Sequence, residues 1–82
     1  MTYTPPTPQE MREILKALGL TGAATADLLD KASGRQVRRW TGGHSKMAYT
    51  DLYTLIHKTT GVAITKADWR EEIQAGLTNY AS

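Results

Sequence analysis

The chain of 82 residues and 9.0 kDa is long enough for one domain with one small core, and it has no cysteine to add a disulfide or a thiolate metal site. No apolar run approaches the roughly 20 residues of a membrane span, and Met1-Thr2-Tyr3-Thr4-Pro5-Pro6 lacks the basic and apolar blocks of a secretion signal, so the expected location is the cytoplasm. The net charge of +2 conceals an asymmetry: Lys31, Arg35, Arg38, Arg39 and Lys46 stand between Asp30 and Asp51 with no acidic residue among them, which leaves the rest of the chain net negative. A local positive field of this kind suits a polyanion; a solvated surface segment is the plainer explanation.

Residues 1–6 hold two of the three prolines and are expected to form an extended or mobile arm. Thr7-Pro8-Gln9-Glu10 then signals a helix start, with a threonine N-cap, proline at the first helical position and glutamate placed to close a capping box. Met11, Ile14, Leu15 and Leu18 give this first helix an apolar stripe, and Gly19 suits a left-handed end. Thr21 caps a short second helix through Leu29, in which Ala26 is small enough to sit against the following helix and Leu28 or Leu29 fills the core. Asp30-Lys31-Ala32 makes the turn, and Ser33 caps helix three.

Helix three sorts its residues by angle. At about 100° per residue, Val37 and Trp40 lie about 60° apart and define a buried edge, whereas Arg35 and Arg39 fall on the far side of the helix from it. Arg38 stands partway round and Gln36 on the flank. The basic segment is thus one face of a helix, which Thr41-Gly42-Gly43-His44-Ser45 ends in a loop.

A fourth helix is predicted from Met47 or Thr50 to Lys58, with Leu52, Leu55 and Ile56 inward and Tyr49 and Tyr53 at the border. Val62-Ala63-Ile64 is either a very short strand or an extended link. Thr65 then caps a fifth helix with Asp68 at the capping-box position, and Trp69, Ile73 and Leu77 form its apolar stripe. The tail from Thr78 is expected to fray.

Over residues 20–43 the sequence resembles the lambda-repressor-like helix-turn-helix regulators, the xenobiotic-response-element type common in phages and plasmids. Leu20-Thr21 opening helix two, Ala26 in its middle, Leu29 at its end, then Val37, Arg39-Trp40 and Gly42-Gly43 carry the likeness. Two departures stand out: the turn between Leu29 and Val37 is one residue longer than usual, and Asp30 occupies a place where glycine is common, with only Ala32 available as the apolar turn residue. Residues 61–70 are similar to the C-terminal extension of small phage Cro-like proteins, which helps them dimerise. Small phage regulators of this size, including repressors that sit beside anti-CRISPR genes, have a similar layout.

The resemblance implies an all-α, compact four- to five-helix domain: a flexible arm at 1–6, a DNA-binding domain at 7–60 with its helix-turn-helix at about 21–41, and a C-terminal link and dimerising helix at 61–82. In helix-turn-helix geometry the second helix of the pair enters the major groove of DNA. Carried onto this chain, Gly34, Arg35 and Arg39 face the bases, and arginine can offer guanine O6 and N7 two donors at once. Phosphates then fall to Gln36, Arg38, Ser45 and Lys46, and to the amide groups at the start of helix two near Thr21 and Gly22.

Other residue types point elsewhere less strongly. Trp40 shares the Val37 edge, which favours core over base stacking, and Tyr49 and Tyr53 either pack at a border or donate to phosphate. His44 and His57 are far apart with no acidic or cysteine partner nearby in sequence, and no catalytic constellation, metal-ligand set or cofactor motif is visible. Trp69, Ile73 and Leu77 either form a dimer contact or pack back on their own core. The expected function is a sequence-specific double-stranded DNA-binding regulator, a homodimeric repressor of phage or mobile-element type acting on a palindromic operator. The alternatives are a protein-interaction module, antitoxin-like or a phage adaptor, that sets the same basic helix on an acidic partner, and an RNA binder.

Overall fold

Local capping chemistry starts the first three helices where the sequence places them. The computed structural model describes residues 2–30 and 33–80, with side chains as far as residue 78. Helix α1 (Pro8–Leu18) begins where Thr7 Oγ1 accepts from the Glu10 amide at 3.1 Å and the Glu10 carboxylate accepts from the Thr7 amide at 2.9 Å. This reciprocal pair satisfies two of the amides that a helix start leaves open. At the other end Gly19 adopts φ 70°, a left-handed turn that glycine enters without a side-chain clash. Helix α2 (Gly22–Leu29) is capped by Thr21, and α3 (Gly34–Thr41) by Ser33, whose hydroxyl accepts from the Gln36 amide at 3.2 Å. Helices α4 (Tyr49–Thr60) and α5 (Trp69–Tyr80) complete an all-α fold; there is no strand among the described residues.

The expected apolar stripes meet in one core. Leu52, Leu55 and Ile56 of α4 are wholly buried at its centre, with Met11, Ile14, Leu15 and Leu18 from α1, Leu29 from α2, Val37 and Trp40 from α3, and Ile64 from the link before α5. Leu29 rather than Leu28 takes the inner position, Leu28 being half-buried. Thr25 is the one buried polar residue among those described, and it donates its hydroxyl to the Thr21 carbonyl at 2.8 Å, so its burial leaves no polar atom unpaired. Helix α4 begins at Tyr49, between the two expected starts, because Met47 is drawn into the core in an extended segment ahead of it.

Val62-Ala63-Ile64 takes the second of its two expected forms, an extended link, anchored where Tyr49 Oη donates to the Ile64 carbonyl at 2.6 Å. Other expectations need correction. Thr65 Oγ1 does accept from the Asp68 amide, at 3.3 Å, but residues 66–68 form a turn ahead of α5, and it is Glu72, not Asp68, that reaches back to accept from both the Thr65 amide and hydroxyl at 2.7 Å. The helix continues to Tyr80, into the tail where fraying was expected; residues 81–82 of that tail lie outside the described residues. Lys31 and Ala32, on which the unusual turn length depends, lie outside the described residues; Asp30 before them sits at φ 55°, ψ −45°, a backbone region that side chains other than glycine rarely adopt.

The amino-terminal arm is held down. Tyr3 Oη donates to the Met47 carbonyl at 2.8 Å, and its ring meets Tyr49 edge-on at 5.7 Å. Burial pushes the Tyr3 hydroxyl up to about 12, so it remains a donor across ordinary pH. Trp69 Nε1 donates to the Thr4 carbonyl at 3.0 Å, and the Arg70 guanidinium lies 4.2 Å from the Trp69 ring while pairing with Glu10 at 2.6 Å. Arm, α1 and α5 are therefore joined at one corner.

Trp69 and Ile73 are 2% and 3% exposed in this single chain, so the expected dimer role is corrected for both. An indole with its ring in the core and its N–H bonded to Thr4 cannot reach a second copy without unfolding that corner. Leu77, the third residue of the stripe, is half-buried at the core edge. Trp69→Ala should cost roughly 3–5 kcal/mol in denaturant unfolding, since it empties a filled site and orphans the Thr4 carbonyl. Glu10 is lowered to about 2 by the Arg70 hydrogen bond, so it stabilises the fold fully above its ordinary value of 4.5 and loses that effect as pH falls toward 2. With the two side chains 30% and 44% exposed, solvent screening reduces the effect, and Glu10→Gln should lower stability at pH 7 by about 1 kcal/mol. Acid titration of unfolding should narrow the difference between the two proteins progressively as pH falls from 4.5 toward 2.

Candidate nucleic-acid interface

Helix α3 has eight residues and only two of them in the core, Val37 at 2% and Trp40 at 5% exposure. Its other side is open: Arg35, Arg38 and Arg39 are exposed, and none of the three has a salt bridge or side-chain hydrogen bond within the described residues. Lys46, exposed just beyond the following loop, is likewise unpaired there. The absence of acids between Asp30 and Asp51 seen in the sequence thus becomes three free guanidinium groups on one short helix with an ammonium group nearby. Lys31, the fifth member of that segment, lies outside the described residues. Water-exposed cations with no carboxylate neighbour retain their attraction for an incoming polyanion.

Gly34 occupies the first turn, half-buried, where an added methyl would stand 3.6 Å from the Arg38 guanidinium. Helix α2 lies against the same first turns: a Cβ placed on Gly22 would come 3.9 Å from Val37 Cγ1. Thr21 is exposed at the start of α2 and accepts the Ala24 amide at 3.1 Å. This arrangement brings the α2 amino terminus to the Val37 side of α3.

The carboxyl end of α3 is tightly bound to the loop of residues 42–45. Gly42 donates its amide to the Arg38 carbonyl at 2.9 Å, and His44 and Ser45 both donate theirs to the Arg39 carbonyl, at 2.9 and 3.3 Å. The loop thereby folds back under the helix end and satisfies carbonyls that have no partner inside the helix. Gln36 Nε2 reaches Ser45 Oγ at 3.4 Å, so two residues expected on phosphate are neighbours in space. Both are half-buried, which leaves them part of their polar surface. Of the expected contacts, Arg35, Arg38, Arg39, Gln36, Ser45 and Lys46 belong to α3 and its loop, while Thr21 and Gly22 come from α2.

Trp40 is sealed into the core, so it offers no face for stacking on a base. Tyr49 and Tyr53 are half-buried at the border, with Tyr49 bonded to Ile64 and Tyr53 stacked on the exposed His57 at 5.6 Å. What sequence reasoning missed is Arg12 of α1, whose Nη1 donates to the Thr41 carbonyl at 2.6 Å across 29 residues. Its place in the exposed stripe of α1 gave no sign of this contact. A second feature not foreseen is a groove of about 540 Å³ between α1 and α5, with Ile14, Ala17, Ile73 and Leu77 in its lining.

Compared with known proteins, the chain matches no family model, no curated protein and no solved structure.

Gly43 gives a direct check on how the loop is seated. It adopts φ 82°, and a Cβ there would stand 3.1 Å from Pro8 Cγ in α1. Gly43→Ala should destabilise the protein by about 1–2 kcal/mol in denaturant unfolding, through backbone strain and crowding together. Gly19→Ala, at φ 70° with open space around it, should show the strain component alone.

Proposed function

We propose that this chain is a sequence-specific double-stranded DNA-binding regulator that lays α3 in the major groove. The observation that carries the proposal is the division of α3 into two sides: Val37 and Trp40 are locked in the core, and Arg35, Arg38 and Arg39 project unpaired into solvent. A helix fits the major groove of B-form DNA, and arginine is the side chain best suited to guanine edges there. The likeness of residues 20–43 to lambda-repressor-like regulators supports the same assignment.

In this proposal Arg35, nearly opposite the buried edge, and Arg39, on the far side with it, are the base readers. Gly34 lets the backbone approach closely and reads nothing. Arg38, Gln36, Ser45 and Lys46 hold one stretch of phosphate backbone, and the α2 amino terminus at Thr21 and Gly22 receives another, where open amides and the helix dipole favour an anion. These phosphate contacts supply salt-dependent affinity and fix the register in which the arginines meet the bases.

One module of this size covers little DNA, so the proposal includes a homodimer on a two-fold symmetric site, acting as a repressor in a phage or mobile element. With Trp69 and Ile73 committed to the core, of the residues first expected at that contact only Leu77, on the rim of the α1–α5 groove, retains open surface.

The test is binding to DNA flanking the protein's own gene across a salt series. Arg35→Ala and Arg39→Ala should each cost about 1–3 kcal/mol on the preferred site and relax the preference for guanine at one position. Arg38→Ala should weaken binding to all sequences alike and reduce the salt slope by about 1. Wild-type affinity retained by both Arg35→Ala and Arg39→Ala would remove α3 as the reading element. Tight capture of an acidic protein with no DNA binding at any salt would favour a protein-interaction module.

A further inference from the structure

Two cations outside the basic segment behave differently from those within it. Arg12 and Lys58 each donate to a backbone carbonyl at the carboxyl end of a helix, and those two helices are α3 and α2 respectively. Arg12 of α1 bridges Thr41 O at 2.6 Å with one guanidinium nitrogen and Gln9 Oε1 at 2.9 Å with another. Lys58 of α4 donates to Leu28 O at 2.7 Å, and its ammonium lies 3.5 Å from the Asp30 carboxylate. Both place positive charge where the helix dipole is negative and where carbonyls lack partners inside the helix.

We propose that Arg12 and Lys58 are positioning residues for α3: they tie the carboxyl ends of α3 and α2 to α1 and α4, and so set the angle at which the arginine face is presented. The need for such ties follows from the shape of α3. An eight-residue helix whose own core side chains are Val37 and Trp40, on a single edge, is fixed in depth by them, and its tilt about that edge is left to the contacts at its ends. At the α2 end Asp30 sits in a backbone region that costs energy, and Lys58 holds that end by its contacts with the Asp30 carboxylate and the Leu28 carbonyl. Arg12 restrains one end of α3, assisted by the approach of Pro8 to Gly43, and Lys58 restrains the helix packed beside it. Helices α2 and α3 are the most extensively packed pair in the fold, so a tilt of one carries the other.

Arginine at residue 12 has a specific use. Its planar fork spans two acceptors on different elements from two separate nitrogens, whereas lysine at the same place keeps the charge but donates from a single nitrogen and loses the bridge. The effect on recognition rests on the DNA proposal above; the restraint on α3 does not.

The absence of cysteine allows a direct test, because Lys16→Cys and Arg38→Cys introduce the only two thiols for spin labels, on exposed positions of α1 and α3. Pulsed electron resonance then gives the width of the distance distribution between the two helices. Arg12→Gln and Lys58→Gln should each widen it while thermal unfolding stays cooperative, Arg12→Lys should fall between, and Lys66→Gln should leave it unchanged. In unlabelled protein, the ratio of affinities for a duplex from the flanking DNA and a scrambled duplex of equal length should fall about tenfold in Arg12→Gln, with scrambled-duplex binding changed by no more than about twofold. An unchanged width in both glutamine variants overturns the proposal. So does a wider distribution with an unchanged affinity ratio in a protein that prefers its own DNA. If the wild type shows no preference between the duplexes, the DNA proposal fails and the width alone decides the role of Arg12 and Lys58.

Discussion

Everything presented on the surface of α3 depends on the burial of Val37 and Trp40. These two side chains lie about 60° apart on the helix, so fixing them in the core fixes the rotation of all the others about the helix axis. Burying a tryptophan and a valine contributes on the order of several kcal/mol from apolar surface alone, a large share of the stability of a small domain. The arginines make no comparable contribution: exposed and unpaired within the described residues, they add little to folding and leave the helix end crowded with positive charge. In the proposed function their arrangement serves a partner and not the fold.

The opposite corner shows how a small domain increases its core without disulfides. Trp69 closes the interior, the arm crosses it through the Thr4 carbonyl, and Arg70 joins Glu10 across 60 residues of sequence. The Glu10 carboxylate also closes the capping box of α1. One side chain therefore serves both a local helix start and a long-range tie, which links α1 and α5 through the same group. Helix α5 is thereby part of the domain, and a dimerising appendage is too simple a description of it.

Elements governed by neighbours in sequence were legible in the sequence. Thr7, Thr21 and Ser33 cap where expected because a capping oxygen meets an amide three residues away, and the stripes of α1 and α4 follow from helical period. The two sides of α3 were legible for the same reason. Trp69 and Ile73 show the limit: periodicity marks a helix face as apolar, but whether it covers its own core or another copy depends on chain packing. The Tyr3 and Trp69 bonds to Met47 and Thr4 span 44 and 65 residues and leave no local trace. At Thr65 the capping box template points to Asp68, but an intervening turn displaces the helix start and gives the role to Glu72. Arg12 had the charge pattern of a solvated helix face, and only the return of α3 past α1 gives it an acceptor in Thr41.

In the proposed function, α3 and its flanking loop form the surface that meets duplex DNA. NMR reads that surface residue by residue, through the change in amide and arginine side-chain shifts as a duplex from the flanking DNA is added to the labelled protein. Saturable changes should concentrate at residues 33–39, 44–46 and 21–23, with the Arg35 and Arg39 guanidinium signals among the most affected. Changes confined to the α1–α5 groove around Ala17 and Leu77, or no saturable change at low salt, would rule this surface out.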